Sequence, residues 1–198
     1  METEIGGNIE KKKELVIIGG PNGSGKTTFT RSYLSMHPMP CLNADDIAKD
    51  LNPDDMSKAS VSAGKVFFKN LREYQKRGES ILIESTLSGA YLNKMIPDFH
   101  KQGYEVIMVY VFLYSPTVCI ERIKERVLKG GHHVPDKDVI RRYYRSKENF
   151  WNNYKNLADK WFLVYNSENK FIEIALGIKN QFSIKNKEYF YKFVEQFK

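Results

Sequence analysis

The sequence predicts an α/β fold of three layers, a parallel central sheet flanked by helices with a helical lid, and three observations carry that prediction. Short apolar runs alternate with helix-period segments along most of the chain, the pattern of a sheet whose crossovers are helices. A glycine-rich turn, Gly20 to Gly25, stands between the first apolar run and the first helix-like stretch. Acidic residues close the second and third strand-like runs, and open α/β sheets bind ligands beyond the carboxyl ends of their strands. The chain has 198 residues, 41% of them hydrophobic and 28% charged, enough for one domain with a sizeable core.

Each element follows from its pattern. Residues 15–19 form the first strand and 27–35 the first helix. A short strand over 40–43 runs into Ala44-Asp45-Asp46. Residues 58–76 place Ala63, Phe67, Leu71 and Tyr74 on one helical face, and Gly78 closes that helix. The third strand spans 80–84, a turn 85–89, and a helix continues to about 102, where Gly103 stops it. Residues 105–113 are the longest and most β-branched run, so they take the centre of the sheet. Pro116 starts a helix reaching 129. Gly130-Gly131-His132-His133-Val134-Pro135 has the composition of a mobile connection, read as a lid around residues 128–136. A long helix over 136–159 brings Ile140, Tyr143, Phe150, Tyr154 and Leu157 to one face, a last strand spans 161–165, and residues 168–198 form a C-terminal helical tail. No repeat, low-complexity tract or linker divides the chain, so residues 1–198 read as a single domain.

Composition narrows the function classes. The start is charged and lacks the apolar stretch of a signal peptide, and residues 106–114 are too few for a membrane-spanning helix, which needs about 20. A cytoplasmic protein without membrane contact is expected. Cys41 and Cys119 show neither zinc nor disulfide spacing and read as buried free thiols. The net charge of +7 suits nucleic acid as well as any site where anionic substrates meet. Much of it lies in Lys11 to Lys13 and in the lysines from Lys179 to Lys198, which read as solvated surface.

The glycine-rich turn is chemically specific. Gly20-Pro21-Asn22-Gly23-Ser24-Gly25-Lys26-Thr27-Thr28 lets successive backbone N–H groups point at phosphate oxygens, and the following helix start adds its positive dipole end. Lys26 is placed for the β- and γ-phosphates of ATP or GTP, and the Thr27 hydroxyl for Mg²⁺. The strand starting at Glu105 carries no acid at its far end, so a second metal ligand must come from Glu84 or the Asp45/Asp46 pair. A helix-start carboxylate favoured by the dipole is the competing reading for Asp46. A cationic cluster surrounds the lid: Arg122 and Arg126 before it, Arg141, Arg142 and Arg145 after it. Guanidinium groups match the charge spread over a transferred phosphoryl group, although helix-surface ion pairs also account for arginines here. His132 can hydrogen-bond a substrate phosphate or hydroxyl; no carboxylate or cysteine near it makes a metal site. Phe67, Phe68, Tyr143, Tyr144, Phe150 and Trp151 recur at helical spacing and read as core, while Asn166 and Ser167 follow the last strand where adenine can rest.

GGPNGSGKTT, NADDIA, IESTLSG and ERVLKGGHHVPDKDVIRRYYRS, in that order over residues 15–167, resemble the zeta-toxin family of P-loop kinases in a compact form. The resemblance implies a P-loop kinase fold and transfer from ATP to the 3′-hydroxyl of the sugar of UDP-N-acetylglucosamine, with a small antitoxin protein as a possible partner. It implies that Asp45 accepts the hydroxyl proton, that Glu84 supports substrate or metal, that Thr86 lines the sugar-nucleotide pocket, and that lid arginines neutralise phosphates. His132 and His133 stand where larger members carry a catalytic arginine, so Arg122, Arg126, Arg141 or Arg142 must take that role. Two competitors stay open: a polynucleotide or nucleoside kinase, suited to the positive charge, and a non-catalytic ATP-binding switch, against which Asp45 and the arginine-rich lid argue.

Overall fold

A computed structural model describes residues 12–167, 170–178 and 181–197. Lys11, Lys179 and Lys198 of the two basic runs, and the first eleven residues, lie outside the described residues. In chain order the elements are β1 (Glu14–Gly19), α1 (Lys26–Met36), β2 (Cys41–Asn43), α2 (Ala44–Leu51), α3 (Met56–Arg77), β3 (Ile81–Ser85), α4 (Leu92–Lys101), β4 (Glu105–Phe112) and α5 (Pro116–Leu128). They continue with α6 (Asp136–Asn149), a π-helical turn (Phe150–Tyr154), α7 (Lys155–Leu157), β5 (Lys160–Asn166), β6 (Phe171–Ile178), β7 (Gln181–Ile184) and α8 (Lys187–Val194). One sheet takes the order β2-β3-β1-β4-β5-β6-β7, with β4 in the middle. The pairings from β2 to β5 are parallel, and those of β5 with β6 and β6 with β7 antiparallel.

The strand alternation explains the layers. Leu15 and Ile17 pack with Phe67 of α3, Leu92 and Phe99 of α4, Phe150 of the π turn and Phe193 of α8. Val16 and Ile18 point the other way, against Phe29, Tyr33 and Leu34 of α1. A strand buried on both faces needs an unbroken apolar run, which β1 has. α5 and α6 are joined by their own small core, in which Val134 from the connection between them packs with Cys119, Ile123, Val139 and Tyr143.

Four expectations need correction. The tail is not helical throughout: β6 and β7 form an antiparallel hairpin that extends the sheet beyond β5, and helix returns only at α8, whose start Asn186 caps by accepting from Tyr189 N at 3.1 Å. Phe171-Ile-Glu-Ile-Ala is strand-forming because Ile174 and Ala175 bury against the main core. The helix over 136–159 is interrupted by the π turn, which shifts the phase of the buried stripe. Within α6 itself the buried stripe runs through Val139 and Tyr143, one residue off the expected face, so Ile140 is 41% exposed and Tyr144 is exposed too. Cys41 is exposed because it begins the edge strand β2, whereas Cys119 is a buried free thiol. Finally, the basic arm is not solvated throughout: Lys12 stays exposed while pairing with Glu105 at 2.9 Å, but the half-buried Lys13 donates to the Gln102 carbonyl at 3.1 Å.

Candidate phosphate-binding and acceptor site

The loop after β1 turns under tight steric control. Gly25, the residue before α1, has a left-handed φ of 92°, and a Cβ on Gly23, at φ 81°, would lie 2.5 Å from the carbonyl oxygen of Cys119. Larger residues are excluded at both positions. The first turn of α1 has neither a side-chain cap nor an acidic residue. By contrast α2 has both: Asn43 Oδ1 accepts from Asp45 N at 2.9 Å, and Asp45 and Asp46 lie in its first turn. A helix start left uncapped at the wall of a cleft is an anion site.

Lys26 opens α1. Its Nζ donates to the Pro21 carbonyl at 2.8 Å, which folds the ammonium back over the loop. Burial lowers its pKa from the ordinary lysine value to about 8, opposed by the negative charges of Glu84 and Asp45. Thr27 Oγ1 donates to Glu84 Oε2 at 3.0 Å, and Asn43 Nδ2 donates to the same oxygen at 3.3 Å. Glu84 is 8% exposed, and burial raises its carboxyl pKa against the pull of Lys26 and Thr27. A buried carboxylate beside a hydroxyl is a hard-oxygen donor pair, of the kind Mg²⁺ takes together with phosphate oxygens and water. Among the described residues no group of three or more His, Cys, Asp or Glu could hold a metal ion alone. The pair therefore fits an ion carried in with a nucleotide.

These residues open onto one cleft of about 1850 Å³. Asn22, Gly23, Gly25, Lys26, Thr27 and Thr28 line it from the loop, while Gly20, Pro21 and Ser24 do not. Asp45 and Asp46 line it from α2, Glu84 and Thr86 from β3 and its following turn, and Arg122, Arg126, His132, Arg141, Arg142 and Arg145 from the lid side. Both acids act on the site, with different neighbours: Asp45 acts on Lys26, whereas Asp46 acts on Glu84 and feels Asp45, Asp50, Lys49 and Arg31, with burial as the main cause of its raised pKa.

The arginines separate in the same way. Arg142 NH1 donates to Asn22 Oδ1 at 3.1 Å, so α6 touches the phosphate loop directly. Arg126 NH2 donates to the His132 carbonyl at 2.6 Å and pins the backbone between α5 and α6, and Arg141 pairs with Asp138 at 2.9 Å. Asn166 lines the cleft and donates through Nδ2 to Ser24 O at 2.8 Å, tying the end of β5 to the loop.

Sequence reasoning missed the clamp on the turn after β3. Leu87, fully buried, has a left-handed φ of 56°, a strained conformation for a non-glycine residue. Its carbonyl accepts from Asn149 Nδ2 at 2.8 Å, and Tyr154 OH donates to Gly89 O. Thr86 and Ser88 share a 2.8 Å hydroxyl contact in that turn. Asn149 and Tyr154 belong to no motif, and only the fold brings them there.

Fold and site together define a P-loop protein of kinase-like fold. Residues 15–149 match the AAA domain family (AAA_33), and the chain belongs to it. An uncharacterised protein of Haemophilus influenzae is 31% identical over 132 residues, 67% of this chain and 94% of that protein. The solved AvrRxo1-ORF1:-ORF2 complex with ATP superposes with a TM-score of 0.74 at 16% identity over 93% of this chain, which spans 64% of that chain's length. The PezAT chromosomal toxin–antitoxin system of Streptococcus pneumoniae superposes with a TM-score of 0.60 at 16% identity, over 85% of this chain and 74% of that one. At these identities the likeness to solved structures establishes the fold.

Proposed function

We propose that the protein transfers the γ-phosphoryl group of ATP to an alcohol, and that the acceptor is a nucleotide sugar, the 3′-hydroxyl of UDP-N-acetylglucosamine first among them. The observation that carries this reading is the convergence on one cleft of an uncapped helix start with Lys26, the Thr27–Glu84 pair, and Asp45. A nucleotide-binding switch needs only the first of these. GTP fits the same phosphate contacts.

Backbone N–H groups of Gly23 to Thr28 and the Lys26 ammonium bind the phosphates. Thr27 and Glu84 would hold Mg²⁺, which supplies charge neutralisation across the β- and γ-phosphates when bound. Asp45 Oδ orients the acceptor hydroxyl and takes its proton as the new O–P bond forms and the bond from the γ-phosphorus to the bridging oxygen of ADP breaks. The contact of Arg142 with Asn22 supports it as the arginine for the transferred group, with Arg122, Arg126 and Arg141 contributing as the lid closes. Thr86, in the turn that Asn149 clamps through the neighbouring Leu87 carbonyl, and His132 serve the acceptor. The family resemblance supports a small antitoxin partner, as does the toxin–antitoxin pairing of the PezAT system.

The test is transfer of labelled phosphate from ATP to a panel of UDP-sugars, nucleosides and 5′-hydroxyl oligonucleotides. Acceptor-dependent product with a UDP-sugar supports the reading; product with oligonucleotides alone replaces the acceptor, and ATP binding without any product points to the switch.

A further inference from the structure

We propose that the outer face of α3 is a binding site for single-stranded nucleic acid, a function separate from phosphoryl transfer. Helix α3 carries Lys58, Lys65, Lys69, Arg72, Lys76 and Arg77 against one acid, Glu73. Lys65, Lys69, Arg72 and Lys76 recur at spacings of four, three and four, which puts them on one face of a helix. All four are exposed. The ion pairs around α3 are Lys58 with Asp55, Lys76 with Glu73 at 3.5 Å, and Arg77 with Glu79. Among the described residues Lys65, Lys69 and Arg72 form none.

These cations border a groove of about 380 Å³, and its one aromatic residue is Phe68. Phe68 is held edge-on by Phe67 and Tyr91, with ring centroids 5.4 and 5.2 Å away, and it lines the large cleft as well as the groove. Phe68, half-buried against the main core, therefore stands between the groove and the cleft, and Glu73 also lines the groove. From Lys65 to Lys76 the row is about 16 Å long at 1.5 Å per residue.

Cations in a row beside an aromatic platform are what a single strand requires: the row tracks phosphates and the ring stacks a base. Converging cations would suit one phosphate group, and these do not converge. An acidic protein segment gives Phe68 nothing to stack, and a flat anionic membrane does not reach a ring between groove and cleft.

Fluorescence anisotropy of a labelled single-stranded oligonucleotide of about twelve nucleotides, added to the full chain over a range of salt concentrations, tests the proposal. The expected result is binding whose affinity falls with salt, the slope flattening by about 0.7 for each phosphate contact removed. Replacing Lys65, Lys69, Arg72 and Lys76 by Gln should cost at least about tenfold in affinity, with the circular dichroism spectrum and ATP binding unchanged. Phe68→Leu should weaken binding with the salt slope preserved. Lys26→Ala should keep strand binding, so loss of the kinase reading and loss of this one are distinguishable. No binding at low salt, equal binding by the Gln variant, or displacement of the strand by polyglutamate at equal charge overturns the proposal. Binding to phosphatidylserine vesicles without binding to the oligonucleotide does so as well.

Discussion

Lys26 shows how a single residue ties sequence to chemistry. Its place in the glycine-rich pattern was legible from spacing alone, but its titration depends on burial that only the fold supplies. The free amine titrates near 8, and bound phosphates must raise that value because they favour the charged form. Above pH 8 nucleotide binding should therefore take up a proton at Lys26, whereas at pH 7 the amine is already mostly charged and the uptake should nearly vanish. Calorimetry in buffers of different ionisation enthalpy measures this directly. Lys26→Arg should abolish the pH 9 uptake because guanidinium stays charged, and persistence of the uptake in that variant would assign it to another group. The adjacent acids teach the complementary lesson. NADDIA located both, yet the groups outside α2 that they meet, Lys26 for Asp45 and Glu84 with Arg31 for Asp46, are side chains distant in sequence.

Helices and strands were readable where one period held over a whole element. The parallel strands and α3 follow from periodicity, with Ala63, Phe67 and Leu71 buried as their spacing requires. The tail escaped because the short β6 and β7 owe their conformation to an open sheet edge at β5, which no local pattern announces. The π turn escaped for a similar reason: its one-residue phase shift is set by packing of Phe150 and Tyr154. Two predictions belong to this scale. Gly64 lies within α3, and an added Cβ meets nothing within 4 Å. Gly64→Ala should therefore stabilise the protein by about 0.8–1 kcal/mol, read from a urea midpoint; a loss of stability would mean that helix backbone is needed bare. Asn149→Ala removes the donor on the strained Leu87 carbonyl and should cost about 1 kcal/mol. Hydrogen exchange should then quicken across residues 85–89 while ATP affinity holds. Unchanged exchange there would mean the turn keeps its strained form without the clamp.

At the scale of the molecule, the first five strands deliver the loop, Asp45 and Glu84 to one end of the sheet, and α5 and α6 bring arginines over it. The legible part of the site was the part in contiguous motifs; the cross-chain ties, Arg142 to Asn22, Asn149 to Leu87 and Asn166 to Ser24, exist only after folding. Residues 128–136 should gain protection when ATP and acceptor bind together, because Arg126 and Arg142 flank that connection from both sides. Equal exchange with and without both ligands would remove lid closure from the mechanism. The most direct measurement is rapid-quench product formation from ATP and acceptor by the wild type, Asp45→Asn and Asp46→Asn. Asp45→Asn keeps the size of the side chain but cannot take the proton, so phosphorylated product should form about 10²–10⁴-fold more slowly, with ATP binding little changed and Asp46→Asn mildly affected. Full transfer by Asp45→Asn, with loss in Asp46→Asn, would contradict the account and make Asp46 the base.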